Sequence, residues 1–196
     1  MFKVGLTGGI GSGKTLICNI FEIFGVPVFY ADLEARKLMD EDPAVCRSLI
    51  HHFGKNIYID GNLDRKRLAS IVFHDKSSLK YLNSIVHPAV RKRFDHWVEE
   101  QVDYKYLIEE AAVLLESGQI KRFDLVITVS SPEELRISRV MERDQVTKDD
   151  VIQRMKNQVS EEERNNRADA VIMNDGTKLV IPQVLQIHNR IVNRES

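Results

Sequence analysis

Cysteine is nearly missing from this chain of 196 residues: there are two, Cys18 and Cys46, and they form neither a CxxC nor a CxxxC pair. That spacing suggests neither a disulfide framework nor a zinc site. Proline is scarce at five, and no Pro-, Gly- or Ser-rich tract marks a linker. No internal repeat with a period of about 20–50 residues is present. Neither sign of charge dominates: 28 Lys+Arg face 29 Asp+Glu, for a formal net charge of −1. Bulk binding to nucleic acid or to an anionic membrane therefore has no support. The longest apolar run, Ala111 to Leu115, is about five residues, where a membrane span needs about 20. The first residues lack the apolar run and small-residue cleavage site of a signal peptide, so a cytoplasmic location is expected. What is present is an ordinary globular complement, 43% hydrophobic, in a length that suits one domain with an inserted subdomain.

Apolar periodicity gives alternating strands and helices. Phe2 to Leu6 reads as a strand ending in a glycine-rich turn. Ile17, Ile20, Phe21 and Phe24 then recur at helical spacing until Gly25. Val26 to Tyr30 is a second strand, and Asp32 is placed to cap a helix over Leu33 to Met39. Residues 43 to 102 look mostly helical, punctuated by Gly54, an Asp60-Gly61 turn, Asp64 and His87-Pro88. Tyr106 to Glu109, Leu125 to Val129 and Ala170 to Met173 are the remaining strands, with a loop or short helix around Leu114 to Ser117. Ser131-Pro132-Glu133-Glu134 reads as a capping box with proline at the first helical position. A last helix runs from about Leu179 to Val192. Such alternation means an α/β fold with a parallel sheet covered on both faces. The stretch between the second and third strands is too long for one crossover and reads as an inserted subdomain.

Gly8-Gly9-Ile10-Gly11-Ser12-Gly13-Lys14-Thr15 matches the phosphate-loop pattern G-x-x-x-x-G-K-Ser/Thr in full. From the chain's own composition the pattern would arise in about 0.3% of shuffled sequences, and it sits between a strand and a helix. Glycines let the backbone wrap tightly and aim its N–H groups at phosphate oxygens. The following helix adds its positive end. Lys14 reaches the β- and γ-phosphates, the Thr15 hydroxyl ligates Mg²⁺, and Leu16 offers its backbone N–H. The competing dinucleotide fingerprint fails, because its third glycine would have to stand at Leu16. A nucleoside triphosphate is the expected ligand.

Two classes then remain, a small-molecule kinase and a GTPase-like switch. Thr147-Lys148-Asp149-Asp150 matches the Asn/Thr-Lys-x-Asp guanine-reading pattern, but about 7% of shuffled chains would show it. It lies in a charged, helix-rich stretch and reads as a helix start capped by Thr147. The kinase class explains more. Arg136, Arg139 and Arg143 share one helical stripe beside Ile137, Val140 and Met141, and Arg154, Lys156, Arg164 and Arg167 follow. Phosphoryl transfer spreads charge over three oxygens, which an arginine-bearing lid stabilises while excluding water. The alternative for any one of these arginines, and the better reading of Arg136 and Arg139, is a solvated face paired with Glu133, Glu134, Glu142 and Glu161 to Glu163. Arg143 stands where the helix should end and is the candidate transition-state group.

Taken together, these residues resemble the dephospho-coenzyme A kinase family, from Val4 to about Gly176. Gly5 to Thr15 is similar to that family's long phosphate-loop signature. Val26-Pro27-Val28 leading to Ala31-Asp32 and Ala35-Arg36 resembles its second strand and aspartate. Leu82 to Pro88 is similar to its inserted helical segment, and Leu114-Leu115-Glu116 to its Leu-Leu-Phe-Glu stretch. Arg143-Asp144, Arg154, Gln158, Arg167-Ala168-Asp169, Ile172, Asn174 and Gly176 follow its lid and last strand. The chain departs at Tyr30, at Ala112 and at Thr15-Leu16, where the family usually has aspartate, proline and Ser-Thr.

The resemblance implies a P-loop kinase fold: a five-stranded parallel sheet, a helical acceptor subdomain and a lid. Here these would be a core of 1–32, 103–140 and 168–196, an insertion at about 33–102 and a lid at about 141–167. It implies transfer of the γ-phosphoryl group of ATP to the ribose 3′-hydroxyl of dephospho-coenzyme A, with Mg²⁺, and neither nucleic acid nor membrane as partner. Gly9, Gly11, Ser12, Gly13, Lys14, Thr15 and Leu16 would hold the nucleotide, with Thr15 on the metal. Asp32, Lys14 and Arg143 would be catalytic, and His87, Arg91 and Leu115 would meet the acceptor. A carboxylate just past strand two lies where open α/β sheets bind ligands, so Asp32 is expected to orient the acceptor hydroxyl; plain helix capping is its alternative. His87 is equally readable as a packing residue, His51 and His52 as surface residues without metal-ligand spacing, and Glu109 and Glu110 as a strand end that orders magnesium-bound water. A nucleoside or nucleotide kinase of the same fold, and a non-enzymatic nucleotide switch, stay open as alternatives.

Overall fold

In the computed structural model, which describes residues 1–115 and 118–194, the elements in chain order are β1 (Phe2–Gly8), α1 (Lys14–Ile23), β2 (Val28–Tyr30), α2 (Ala31–Glu41), α3 (Pro43–Phe53), β3 (Tyr58–Ile59), β4 (Asn62–Leu63), α4 (Arg65–His74), α5 (Lys76–Glu99), β5 (Tyr106–Glu110), β6 (Leu125–Ser130), α6 (Glu133–Asp144), α7 (Lys148–Met155), α8 (Glu161–Arg167), β7 (Ala170–Met173) and α9 (Val180–Val192). The chain divides into two compact units, one made of residues 1–30 together with 101 onward, the other of Ala31–Glu100. No helix among the described residues is long and apolar enough to cross a membrane.

The first unit is built on a five-stranded sheet in the order β2-β5-β1-β6-β7, with every neighbouring pair parallel. Every residue of β5 and of β6 is buried. Near-continuous apolar strands of this kind are what a sheet covered on both faces requires. α1 contributes Ile17, Cys18, Ile20 and Phe21 to the core and α9 contributes Val184, Ile187 and Ile191, around Val4, Leu6, Ile108, Ile127 and Ile172 of the strands. Each such side chain, removed from water, stabilises the fold by about 1.5–3 kcal/mol before entropy is counted. After β1 the chain travels to β2 and β5 on one side, then to β6 and β7 on the other. The loop leaving β1 therefore emerges where the strand order reverses, the position at which open α/β sheets bind ligands.

Two local expectations change in this unit. The second strand begins at Val28 rather than Val26, because Val26 spends its N–H on Phe21 O (3.1 Å) and Pro27 has none to give. The capping box at Ser131 does not form. Pro132 precedes the helix, and Ser131 gives its N–H to the Glu161 carboxylate (3.0 Å) instead. A partner thirty residues away outcompetes the local cap.

The second unit packs α2, α3, α4 and α5 around Val45, Leu49, Ile57, Leu63 and Leu68. Three aspartates start its helices. Asp42 accepts from Ala44 N and Val45 N ahead of Pro43, Asp64 from Arg67 N, and Asp75 from Ser77 N and Ser78 N. Asp60 and Gly61 both have positive φ (49° and 82°), which turns the chain between β3 and β4. The sequence reading has the turn but not the strands, which are two residues each. His87-Pro88 does not interrupt the helix: α5 runs through Pro88 over 24 residues. Burial of Val86, Val90 and Phe94 on either side outweighs the single backbone hydrogen bond that proline removes. Asp32 is likewise not a cap, since α2 begins at Ala31 and Asp32 is its second residue, in the first turn with Glu34.

Candidate active site

The loop Gly8–Thr15 joins the carboxyl end of β1 to the first residue of α1. Gly13 takes a left-handed conformation (φ 96°) just before the helix, and no side chain caps α1. Its first-turn amides thus point outward as an anion cradle. Gly11 has φ 77°, and a Cβ there would lie 2.5 Å from Arg136 O, so both its conformation and its surroundings demand glycine. Thr15 and Leu16 are exposed at the start of α1. Lys14 is half-buried and folds back against the loop: its ammonium donates to Gly8 O at 3.1 Å and stands 3.9 Å from Glu110 Oε1.

Glu109 and Glu110 end β5 as buried carboxylates beside β1, opposite Gly5 and Leu6. Arg122 pairs with Glu109 at 3.1 Å, so the two acids answer to two cations. Tyr30, opposite Glu110 in the register, has its hydroxyl pushed well above the usual range by burial, then by Cys18 and Glu22, with Glu110 adding to it. It is a neutral group where the family resemblance leads one to expect an acid. Burial also drives the Cys18 thiol far up, so it acts as core rather than as a nucleophile.

What holds the loop was largely unread in the sequence. Arg139 is not on a solvated face: its guanidinium donates to Gly11 O (3.4 Å), Ser12 O (3.5 Å), Ser131 Oγ (3.2 Å) and Asn174 O (3.4 Å). Asn174 donates its own amide to Ser12 O at 2.8 Å. Arg136 is 6% exposed and pairs with Glu161 at 3.3 Å. Arg164, 2% exposed, donates to Val159 O. Both guanidinium groups pack over Gly9, where a side chain would meet them. Gln158 accepts the Ile10 N–H at 2.9 Å and donates to Ala112 O at 3.5 Å. Glu161 ties this segment to the end of β6 through Ser130 Oγ and the Ser131 N–H. The spacing of Arg136 and Arg139 carried a signal of a shared face, Glu161 was among the acids expected to pair with it, and Gln158 matched the family's lid; that Gln158 binds the phosphate loop and Glu161 the end of β6 had no local signal.

Arg143, at the end of α6, lies flat against Asp144, with Nε to Oδ1 at 2.7 Å and Nη2 to Oδ2 at 3.1 Å. Arg154 of α7 reaches the same carboxylate at 2.7 Å. Arg143 and then Arg154 hold the Asp144 carboxyl below the usual carboxylate range, and the bond to Asp144 in turn pushes the Arg143 guanidinium up. The Thr147-Lys148-Asp149-Asp150 stretch is a capping box, with Asp150 bonded to the Thr147 N–H and hydroxyl. A carboxylate so occupied is a helix start, as expected, and not a base reader.

In the second unit Asp32, His87 and Arg91 come together: burial and then the Arg91 charge lower the His87 pKa, while Asp32 raises it. Leu115 is buried in the first unit, and Glu116 lies outside the described residues. His52 is exposed and stacks on Tyr81 (ring centroids 3.7 Å). No cluster of three His, Cys, Asp or Glu groups able to hold a metal is found among the described residues. The Thr15 hydroxyl is an exposed hard donor beside the cradle. That suits Mg²⁺ carried in with phosphates rather than a resident ion in an all-protein cage.

Against known proteins, the family model described as Dephospho-CoA kinase matches residues 2–179. A dephospho-CoA kinase from Salinibacter ruber is 43% identical over 180 residues, covering 90% of each chain. Among solved structures, the Thermus thermophilus protein TT1252 superposes with a TM-score of 0.88 at 29% identity over 98% of both chains. A dephospho-CoA kinase from Campylobacter jejuni superposes with a TM-score of 0.71 at 26% identity over 96% of both.

Proposed function

From the premise that this chain belongs to the dephospho-CoA kinase family, we infer that it transfers the γ-phosphoryl group of ATP to the ribose 3′-hydroxyl of dephospho-coenzyme A. The products are coenzyme A and ADP. It is an ATP-dependent kinase with a P-loop fold, of the activity that completes coenzyme A synthesis. The observation that carries the reading is the cradle itself. An uncapped helix start, two left-handed glycines and a half-buried lysine stand at the reversal of strand order, in a chain matched by the family over almost its whole length.

In this reading the backbone of Gly9, Gly11, Ser12, Gly13, Lys14, Thr15 and Leu16 wraps the phosphates. Lys14 neutralises charge on the transferred group, for which its position between Gly8 O and Glu110 holds it in reserve. The Thr15 hydroxyl would hold Mg²⁺ brought in with the nucleotide, and the ion would supply charge neutralisation to the phosphates. Asp32 accepts the hydrogen bond of the acceptor hydroxyl and aims its oxygen. Support for this comes from its place two residues past β2 and from the cluster it forms with His87 and Arg91, which meet the acceptor beside it. As the ribose oxygen bonds to the γ-phosphorus, its proton passes to the Asp32 carboxylate, the bond to the β,γ-bridging oxygen breaks and ADP leaves. Arg143 stabilises the charge on the phosphoryl oxygens in flight. Leu115 contributes apolar contact to the acceptor. The lid comprises about residues 141–167, and the enzyme acts in the cytoplasm on two small molecules, with no nucleic-acid partner.

The test is ADP release measured across dephospho-coenzyme A, adenosine, AMP and deoxynucleosides. Dephospho-coenzyme A is expected to have much the highest kcat/KM. A clear preference for AMP or a deoxynucleoside would make this a nucleotide kinase of the same fold, and no turnover with any acceptor would favour a switch.

A further inference from the structure

We propose that Asp144 is a positioning residue for phosphoryl transfer, presetting the Arg143 guanidinium for the transferred group. The proposal rests on the reading of Arg143 as the residue that stabilises the transition state, and it adds to that reading the residue that aims it.

The geometry is specific. Asp144 engages Arg143 through Nε and Nη2, one nitrogen to each carboxylate oxygen, the parallel two-bond arrangement that fixes the plane of a guanidinium. The Nη1 amino group lies in the same plane, at the edge that these two bonds leave uncovered. The same carboxylate is itself pinned, because Arg154 donates to Oδ2 from the neighbouring helix α7. Asp144 is the last residue of α6, and Gln145 after it turns the chain with φ 54°, its N–H closed onto Met141 O. The carboxylate thus stands at a helix end, tied to a second helix, where its own side chain has little freedom.

Stability does not account for the arrangement. The three side chains are partly exposed, Arg143 at 64%, Arg154 at 45% and Asp144 at 25%, and ion pairs so open to water add little to folding. A free arginine side chain loses several rotors' worth of entropy on reaching a phosphoryl group. One already held in plane by a carboxylate loses less, and that saving appears in the transition state where Arg143 acts. On the same two helices Glu142 is exposed next to Arg143 in the chain, and Lys148 of α7 pairs with Glu134 at 3.6 Å.

The experiment is a double-mutant cycle in the full-length enzyme, with kcat and the KM for ATP measured separately. Asp144→Asn keeps the size but loses the second acceptor oxygen. It is expected to lower kcat about 10-fold, within the range that couplings between contacting groups span, with Tm and the KM for ATP little changed. In an Arg143→Ala background the same substitution is expected to change kcat by less than about 2-fold, because the group it aims is gone. Asp144→Glu, which retains the carboxylate, should recover most of the rate and guards against a folding defect in the asparagine variant. If Arg143→Ala is slow while Asp144→Asn turns over normally, or if Asp144→Asn costs the same in both backgrounds, the positioning role is overturned. If Arg143→Ala itself keeps the wild-type kcat, the underlying reading of Arg143 fails, and this inference with it.

Discussion

Arg139 and Asn174 meet behind the phosphate loop. The Arg139 guanidinium donates to Asn174 O at 3.4 Å, and the Asn174 amide donates to Ser12 O at 2.8 Å, so helix α6 and the end of β7 share the carbonyl side of one loop. With the Gly11 and Ser12 carbonyls held from behind, the uncapped first-turn amides of α1 are the ones left to face an anion. The pair thereby converts a flexible glycine-rich segment into a fixed anion site.

Asn174→Ala should therefore lower stability and raise the KM for ATP together. The side chain is 7% exposed, and its removal leaves the Ser12 carbonyl short of a donor away from water. The expected loss is about 1–3 kcal/mol. Thermal melting and ATP kinetics check it: a variant with the wild-type Tm and KM would show that Asn174 does not hold the loop.

Lys14→Ala should reduce kcat with dephospho-coenzyme A by about 10²–10³-fold, the loss typical of one preorganised electrostatic group. Its partner Glu110, 8% exposed, would keep its charge with less to balance it, so a drop in Tm should accompany the loss of rate. Retained turnover in a folded variant would remove Lys14 from the transferred phosphate.

Asp32→Asn separates orientation from helix support. Asp32 is the second residue of α2 and not its cap, so neutralising it costs the helix only a favourable interaction of an exposed charge with its positive end. Tm should barely move. kcat is expected to fall by about 10²-fold or more, with ATP affinity by titration unchanged. Normal turnover would return Asp32 to the structural role.

His87 gives a pH dependence of definite sign. Burial, then Arg91, hold its pKa below the ordinary 6.5, with Asp32 opposing. Below that value the unfolded chain binds a proton that the folded one refuses, so stability contributed by neutral His87 is present above 6.5 and is lost as pH falls. His188, also lowered by burial, acts in the same direction. Denaturant unfolding at about pH 7.5 and about pH 5.5 should show a decline that His87→Gln reduces without abolishing. An undiminished decline in that variant would exclude His87 as a source.

Much of this protein was legible from residues close together in the chain. The phosphate loop acts through eight consecutive residues whose glycines, lysine and threonine do their work within one turn and one helix start. The Thr147–Asp150 cap closes over three positions, and β7 and α9 follow from period alone. Such signals are local because backbone preference and i to i+4 contact are local. The roles of Arg136, Arg139, Gln158 and Asn174 were decided elsewhere. Gln158 and Asn174 meet Ile10 and Ser12 from 148 and 162 positions away. A buried polar group must find a partner, but which segment supplies it depends on the strand order β2-β5-β1-β6-β7, which brings the end of β7 and the start of α6 to the loop after β1. The same holds for α5, whose two buried flanks carry it through Pro88, and for Ser131, drawn from its local cap by Glu161. Local chemistry determined that this chain holds a nucleotide's phosphates; only the packing of distant segments decided what makes that site rigid, because desolvated charges and hydrogen bonds take their strength from neighbours that the sequence does not place side by side.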